Sequence, residues 1–342
     1  MTQSMSTPPR KATRRDVARR AGVSDAVVSY TLNGGAPVAA ATAQRVRDAV
    51  EELGYSPNQA ARALRSGSAR TLVLVVPDGS DPIFANPFFS EYASVIEGAA
   101  RERGYALYTT ASSMLPDVVI GRFREFAARQ VDGVLVLQGD AQLDRAALDR
   151  VGLPWIELNA VVPTNGGQSL SADLREGAFV ATTHLLEHGH RRVGFIGELD
   201  PVEPRYIGWL EACAAAGVAA GPHVQTAITR PGGHDAGDRI AADPDRAPAY
   251  FVASDRTAVG VLRSLHEHDV DVPDDVALVA FDGSWEGEYA WPGLTSFRQP
   301  IERMAESAVE RVLAGKLRAA GHELFEGALV VRQSCGCHRA ER

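Results

Sequence analysis

The sequence predicts an all-α helix-turn-helix head followed by an α/β core of two lobes, each a doubly wound parallel sheet. Three observations carry this. Residues 13–33 hold two short amphipathic segments separated by one glycine. From 72 to 158 and again from 177 to 281, apolar runs of strand length alternate with segments of helical period, the pattern of parallel strands covered on both faces. The charge is also divided: residues 10–70 carry eleven basic against five acidic side chains, a net of +6, which leaves −14 for the rest of a chain whose total is −8. A basic head on an acidic body is expected when only the head meets phosphates.

Residues 1–12, with Pro8-Pro9 and several Ser and Thr, have the composition of a disordered arm. Thr13 followed by Asp16, Val17, Ala18 and Ala21 reads as a capped helix that Gly22 ends. Ser24 opens a second helix with Val27, Val28 and Leu32 on one face, stopped at Asn33-Gly34-Gly35. A third helix over 40–53 places Val46, Ala49, Val50 and Leu53 at i, i+3, i+4, i+7. The head therefore spans 13–56. A hinge follows at 57–68, where only about two turns fit between Pro57 and Ser66-Gly67-Ser68. An isolated helix in water needs about 12 residues, so this segment should fold conditionally.

The core, 69–342, reads as strands at 72–76, 106–109, 133–137 and 155–158 with helices at 87–103 and 118–129. After Gly166-Gly167 come helices at 177–188, 206–216, 236–242 and 257–266, and strands at 193–196, 224–228, 250–252 and 276–281. One lobe is assigned about 69–170 plus 300–325, the other about 171–299 plus 326–338. A ligand in such an architecture belongs at the carboxyl ends of the strands, between the lobes.

At 342 residues, 45% hydrophobic and 23% charged, the chain has the composition of a globular protein of two or three domains. No apolar run approaches the ~18 residues of a membrane span, and no apolar signal core precedes the head, so the expected location is the cytoplasm, without a membrane partner. There is no phosphate loop, Gly-x-Ser-x-Gly elbow or His-Glu-x-x-His, so no enzyme, no catalytic residue and no cofactor is expected. Three cysteines make no disulfide framework. Cys335-Gly-Cys337-His338 offers zinc-ligand types, but ligands one residue apart with no second cluster predict a plain strand end and no metal. Cys213, on an Ala-rich helix, reads as core.

Residues 13–68 resemble the DNA-binding head and hinge of the lactose-repressor (LacI/GalR) family of bacterial regulators. The matching words are Asp16-Val-Ala18, Ala21-Gly-Val-Ser24, Val28-Ser29, Leu32-Asn33-Gly34, Leu53-Gly-Tyr55, Pro57-Asn58 and Ala60-Ala61-Arg62-Ala63-Leu64. They continue through Asn86-Pro-Phe-Phe89, Gly189-His190-Arg191-Arg192, Gly194-Phe-Ile-Gly197, Ser254-Asp255 and Phe281-Asp282 to Val331-Arg332. The resemblance implies a core similar to periplasmic sugar-binding proteins, a palindromic double-stranded operator and a small-molecule effector, with a carbohydrate or glycoside expected and a nucleobase as alternative. No leucine heptads follow Val331, so a homodimer is expected.

For DNA, the resemblance places base contacts at Asp25, Ala26 and Tyr30. Two readings of Asp25 stand: acceptor for a cytosine amino group, or charge at the helix N-terminus. Thr13, Ser24, Ser29 and Asn33 read as phosphate donors or caps. In the hinge, Asn58, Ala61 and Leu64 share a helical face, which in this family enters the minor groove with the leucine wedged between central base pairs, commonly a CG step.

For the effector, the resemblance points to Asp173, Arg205, Asp255 and Asp282. An arginine fork flanked by carboxylates suits vicinal hydroxyls, and Phe88, Phe89, Trp285 or Trp291 offer faces to a sugar ring. His234 stands where a pocket aromatic often lies. His184, His188 and His190 fall on a helix stop matching the family's and read as structural. The chain departs from the family pattern at Ala39 (usually a Ser or Thr cap), Asn159-Ala160 (usually Asp-Arg) and Leu174 (usually Asn or Tyr). The rival reading is a solute-binding receptor that does not bind DNA, since a fold alone does not fix function.

Overall fold

The computed structural model describes residues 12–33, 36–56, 67–78, 86–137, 143–160, 168–315 and 321–337. The hinge residues Asn58, Ala61 and Leu64, residues 1–11 of the arm, and His338 lie outside these, as does the side chain of Asn33. Two compact units meet at the Ala69–Arg70 boundary.

The first unit is three helices: α1 (Arg14–Ala21), α2 (Asp25–Asn33) and α3 (Ala40–Glu52). Thr13 caps α1 in a reciprocal box with Asp16, and Gly22 ends it at φ 66°, a conformation costly for a residue with a Cβ. The three helices close on Val17, Ala18, Ala21, Val28, Val46 and Ala49. Ala39 makes no side-chain cap at the start of α3, where a Ser or Thr would contribute about 1 kcal/mol.

In the second unit, β1 (Thr71–Pro77), α4 (Pro87–Glu102), β2 (Ala106–Ser112), α5 (Pro116–Ala128), β3 (Gly133–Leu137), α6 (Arg145–Asp149), β4 (Trp155–Leu158) and β5 (Gln168–Ala172) come first. Next are α7 (Leu174–Glu187), β6 (Val193–Gly197), α8 (Pro204–Ala215), β7 (His223–Gln225), α9 (Arg230–Ala242), β8 (Ala249–Val252), α10 (Asp255–Glu267), β9 (Ala277–Asp282) and α11 (Trp285–Tyr289). The last are β10 (Thr295–Arg298), α12 (Ile301–Leu313), β11 (Gly321–Phe325) and β12 (Ala328–Val330).

They build two six-stranded sheets, ordered β11-β5-β4-β3-β1-β2 and β12-β10-β9-β8-β6-β7. Among the described pairings all are parallel except β10 with β12. The period of two in β1 explains the layering: Leu72, Leu74 and Val76 face α4 and α12, whereas Val73 and Val75 face Val119, Phe123 and Phe126 of α5. In the second lobe, α7 and α8 cover Phe195, Phe251 and Phe281, while α9 and α10 cover Ile196, Tyr250, Val252 and Leu278.

The chain passes between the sheets three times: from β5 into α7, from β10 into α12, and from β11 into β12. Asp173 and Gln299 lie in the first two crossings.

Two expectations need correction. The helix read at 236–242 begins at Arg230, capped by Thr229 with a proline in its first turn; Gly232 and Gly233 hide the apolar period there. The strand read at 224–228 is only His223–Gln225. Seven elements had no reading: α6, α11, α12, β5, β10, β11 and β12.

Candidate functional site

The head presents α2 across a tight turn from α1. Ala26 and Tyr30, one turn apart, are exposed, with Tyr30 at 44%. Thr13 and Ser24 act as caps: the Thr13 hydroxyl donates to Asp16 Oδ2 at 2.6 Å, and Ser24 Oγ accepts from Val27 N at 3.3 Å. Ser29 is half-buried. Asp25 is gripped by Arg14, whose Nε lies 2.7 Å from Oδ1 and whose Nη2 contacts Oδ2. This bidentate pair ties the start of α2 to α1 and offsets the phosphate repulsion of an acid at this point.

In the second unit the charged groups gather where strands end. Asp282 closes β9 at φ 110°, and Asn159 follows β4 at φ 53°. Side chains held in this region cost of order 1–3 kcal/mol and persist where the surroundings over-determine them. Here Gln299 supplies that restraint. Its N and Nε2 donate to Asp282 O (3.1 Å) and Oδ1 (2.8 Å), and its Oε1 accepts from Asn159 Nδ2 at 3.4 Å. One side chain at a lobe crossing thus joins a strand end of each sheet. Asn159 Oδ1 is buried without a partner among the described residues.

Arg205 enters from the start of α8. Its Nε donates to Glu203 Oε1 and its Nη1 to Ala253 O, both at 2.7 Å, and its guanidinium stands 5.7 Å from the Phe281 ring centre. Burial pushes the Asp282 carboxyl up, to about 6, against the pull of Arg205 and the Gln299 hydrogen bond. Asp255 lies beneath it, 1% exposed. Ser284 donates to its Oδ2 through N (2.6 Å) and Oγ (2.8 Å), and Ser296 Oγ donates to its Oδ1 at 2.5 Å. Burial first, then the charge of Asp282, raise the Asp255 pKa to about 8.

A second bridge between lobes runs from α4 to α11: Glu91 Oε1 accepts from Trp285 N at 2.8 Å. Burial raises the Glu91 pKa. The Trp285 ring is 52% exposed and meets Tyr289 edge-on at 6.3 Å. Arg230, at the start of α9, pairs with Glu286 of α11.

The structure thus brings Arg205 and Asp282 together, with Asp255 against Asp282, and gives other expected effector residues different partners. Asp255 is a buried support whose oxygens are engaged by serines. Asp173 caps α7 by accepting from Glu176 N at 3.0 Å. Phe88 is core, packed on Tyr92, with Phe89 partly buried beside it. His234 is held between Glu267 (2.8 Å) and Asp238 (3.5 Å) on the α9–α10 surface. Sequence reading missed Gln299, Glu91, Arg230 and Glu286, whose partners are distant in the chain; the departure at Asn159 was the available signal.

Comparison with known proteins agrees with this architecture. Residues 13–58 match the bacterial regulatory proteins of the lacI family, and residues 182–335 match a periplasmic binding protein-like domain. The transcriptional regulator CelR of Thermobifida fusca is 35% identical over 343 residues, covering 95% of this chain and 98% of that protein. The repressor PurR of Vibrio atlanticus (strain LGP32) is 30% identical over 325 residues, covering 91% and 94%. Among solved structures, a CelR–cellobiose complex superposes with a TM-score of 0.66 at 31% identity, covering 94% and 99%. The lac repressor dimer bound to operator and the anti-inducer ONPF shares the fold, with a TM-score of 0.79 at 23% identity and coverage of 95% and 99%. A three-helix head matching the family's model, two crossed-over lobes and relatives at this identity over nearly the whole chain make it a member of the lacI family, a DNA-binding transcription regulator with a ligand-binding core rather than an enzyme.

Proposed function

We propose that this protein is a cytoplasmic, homodimeric repressor that reads a palindromic operator and is switched by a carbohydrate bound between its lobes. The observation that carries the switch is the Asn159–Gln299–Asp282 chain with Arg205 beside it: polar groups from both lobes, two of them in costly backbone conformations, converge at strand ends. Arg205 donates to ring hydroxyls, Asp282 and Asn159 Oδ1 accept from them, and the Trp285 ring covers an apolar sugar face. A ligand there competes with Gln299 and with the Glu91–Trp285 bridge, so it favours one lobe arrangement over another. That arrangement sets the spacing of paired heads, in which Ala26 and Tyr30 meet base edges and Asn58, Ala61 and Leu64 enter the minor groove at a central step.

The 31% identity to a protein solved with cellobiose supports a carbohydrate. A nucleobase effector is the second reading, favoured by the PurR relatives and by two amides that suit a base edge. Isothermal titration of the full chain against cellobiose, a sugar panel and a nucleobase panel tests the choice. Saturable one-to-one heat with a sugar alone is expected; saturation by a nucleobase alone would replace the carbohydrate reading.

A further inference from the structure

Away from the cleft, the last turns of α7 carry His184 and His188 on one face, their rings 4.7 Å apart and edge to face. Opposite them runs the turn at 333–337. Ser334 stitches this turn to the sheet: its Oγ donates to Leu278 O (2.7 Å) and accepts from Thr295 N (2.8 Å). Gly336, at φ 88°, then folds the chain so that the two flanking thiols meet.

Cys335 Sγ lies 3.0 Å from Cys337 Sγ, and Cys337 Sγ lies 3.2 Å from His184 Nε2 and 2.9 Å from His188 Nε2. The donor atoms of His184, Cys335 and Cys337 all fall within 4.8 Å of one another. We propose that His184, His188, Cys335 and Cys337 form a tetrahedral Cys2His2 site for a borderline-soft divalent cation, Zn2+ by its chemistry. The second ligand pair, for want of which the thiols alone predicted a plain strand end, comes from α7.

Three donors stand ready for the ion and the fourth, His188, already contacts one of them. Zinc bonds of about 2.3 Å to sulfur and about 2.0–2.1 Å to nitrogen put tetrahedral ligands about 3.4–3.8 Å apart. The three pairs that meet at Cys337 must therefore lengthen by less than about 1 Å, while His188, whose ring nitrogens fall outside the 4.8 Å group formed by the other three, must turn toward them. Thr295 Oγ1 donates to Cys335 Sγ at 3.1 Å, the outer-shell support expected of a ligating thiolate. Metal entry displaces the thiol protons to solvent.

Four protein ligands leave no open position, so the site is structural. It clamps the turn at 333–337 to α7, whose opposite end is capped by Asp173 at the lobe crossing.

The test is titration of the full chain, reduced and stripped with a chelator, with Co2+ alone and then Zn2+. Expected are the visible bands of tetrahedral Co2+ with a thiolate charge-transfer band, saturating at one equivalent and erased by Zn2+, and a melting temperature that rises with added Zn2+. Cys337→Ser and His188→Ala alter exposed or half-buried positions, and each should weaken binding by more than the roughly 100-fold upper range of an outer-shell change. A featureless Co2+ spectrum would overturn the proposal, whether both thiols titrate freely or the mass is lower by two hydrogens, as in a Cys335–Cys337 disulfide. So would binding unchanged in both variants.

Discussion

Replacing Arg205 with methionine keeps the length of the side chain and removes its charge. It deletes two charge-assisted hydrogen bonds of 2.7 Å and the contact with Phe281. Glu203 then faces a low-dielectric interior without its cation, and Asp282 loses the charge that holds its pKa down. Removing one partner of a buried pair costs about 3–5 kcal/mol. With side chains 18% and 12% exposed, solvent screens part of this, and about 3 kcal/mol, the low end of that range, is expected. Arg205→Lys retains the charge without the fork and should lose less. Denaturant unfolding of the full chain, followed by tryptophan fluorescence, reads the loss as a lower midpoint at unchanged slope. Titration of the effector should show a Kd raised about 10- to 150-fold, the equivalent of one charge-assisted bond of about 1.5–3 kcal/mol. An Arg205→Met protein within about 0.5 kcal/mol of the parent, the range of a neutral surface change, with the same effector affinity, would refute this account of the cleft.

Three further outcomes follow from particular contacts. Asp25→Ala should lower head stability by about 1 kcal/mol, the upper range for a partly exposed pair, and weaken DNA binding equally on every operator variant; a change confined to one base position would restore the base-reading role. Asp255 is an acid whose folded pKa lies above its unfolded value, so folding takes up a proton and stability falls as pH rises from about 4 to about 8. Asp255→Asn should flatten that slope in pH-dependent melts, and an unaltered slope would assign it elsewhere. A Cβ at Gly233 would lie 2.0 Å from Thr257 O, so Gly233→Ala should force α9 from α10 and cost at least about 1–3 kcal/mol, measured as a lower unfolding midpoint; an unchanged midpoint would mean the helices separate freely.

The fold was largely legible because its signals are local. Alternation in Leu72–Val76 and the caps at Thr13 and Gly22 need only near neighbours. The reading failed where order is imposed from a distance. Strand β5, with two serines among five residues, is held by β4 and β11, and no apolar run announces it. The strand ends follow the same rule: Arg205 and Asp282 were singled out from a resemblance, but Gln299, which links Asp282 to Asn159, lies 140 residues from Asn159. Asp255 matched the family's word, and its carboxylate accepts from Ser284 and Ser296, because a motif records which residue is present and not which way its carboxylate is spent. Cys335, Cys337, His184 and His188 were each noticed, and only folding put them together.

The most direct measurement is selection of genomic DNA fragments by the purified full chain, repeated with cellobiose and with the sugar and nucleobase panels. The account predicts a palindromic site with a central CG step, whose retention is changed by one compound and whose response is lost in Arg205→Met. Absence of sequence-specific retention at low salt, with a ligand still bound by the core, would contradict it and leave a solute receptor carrying an idle head.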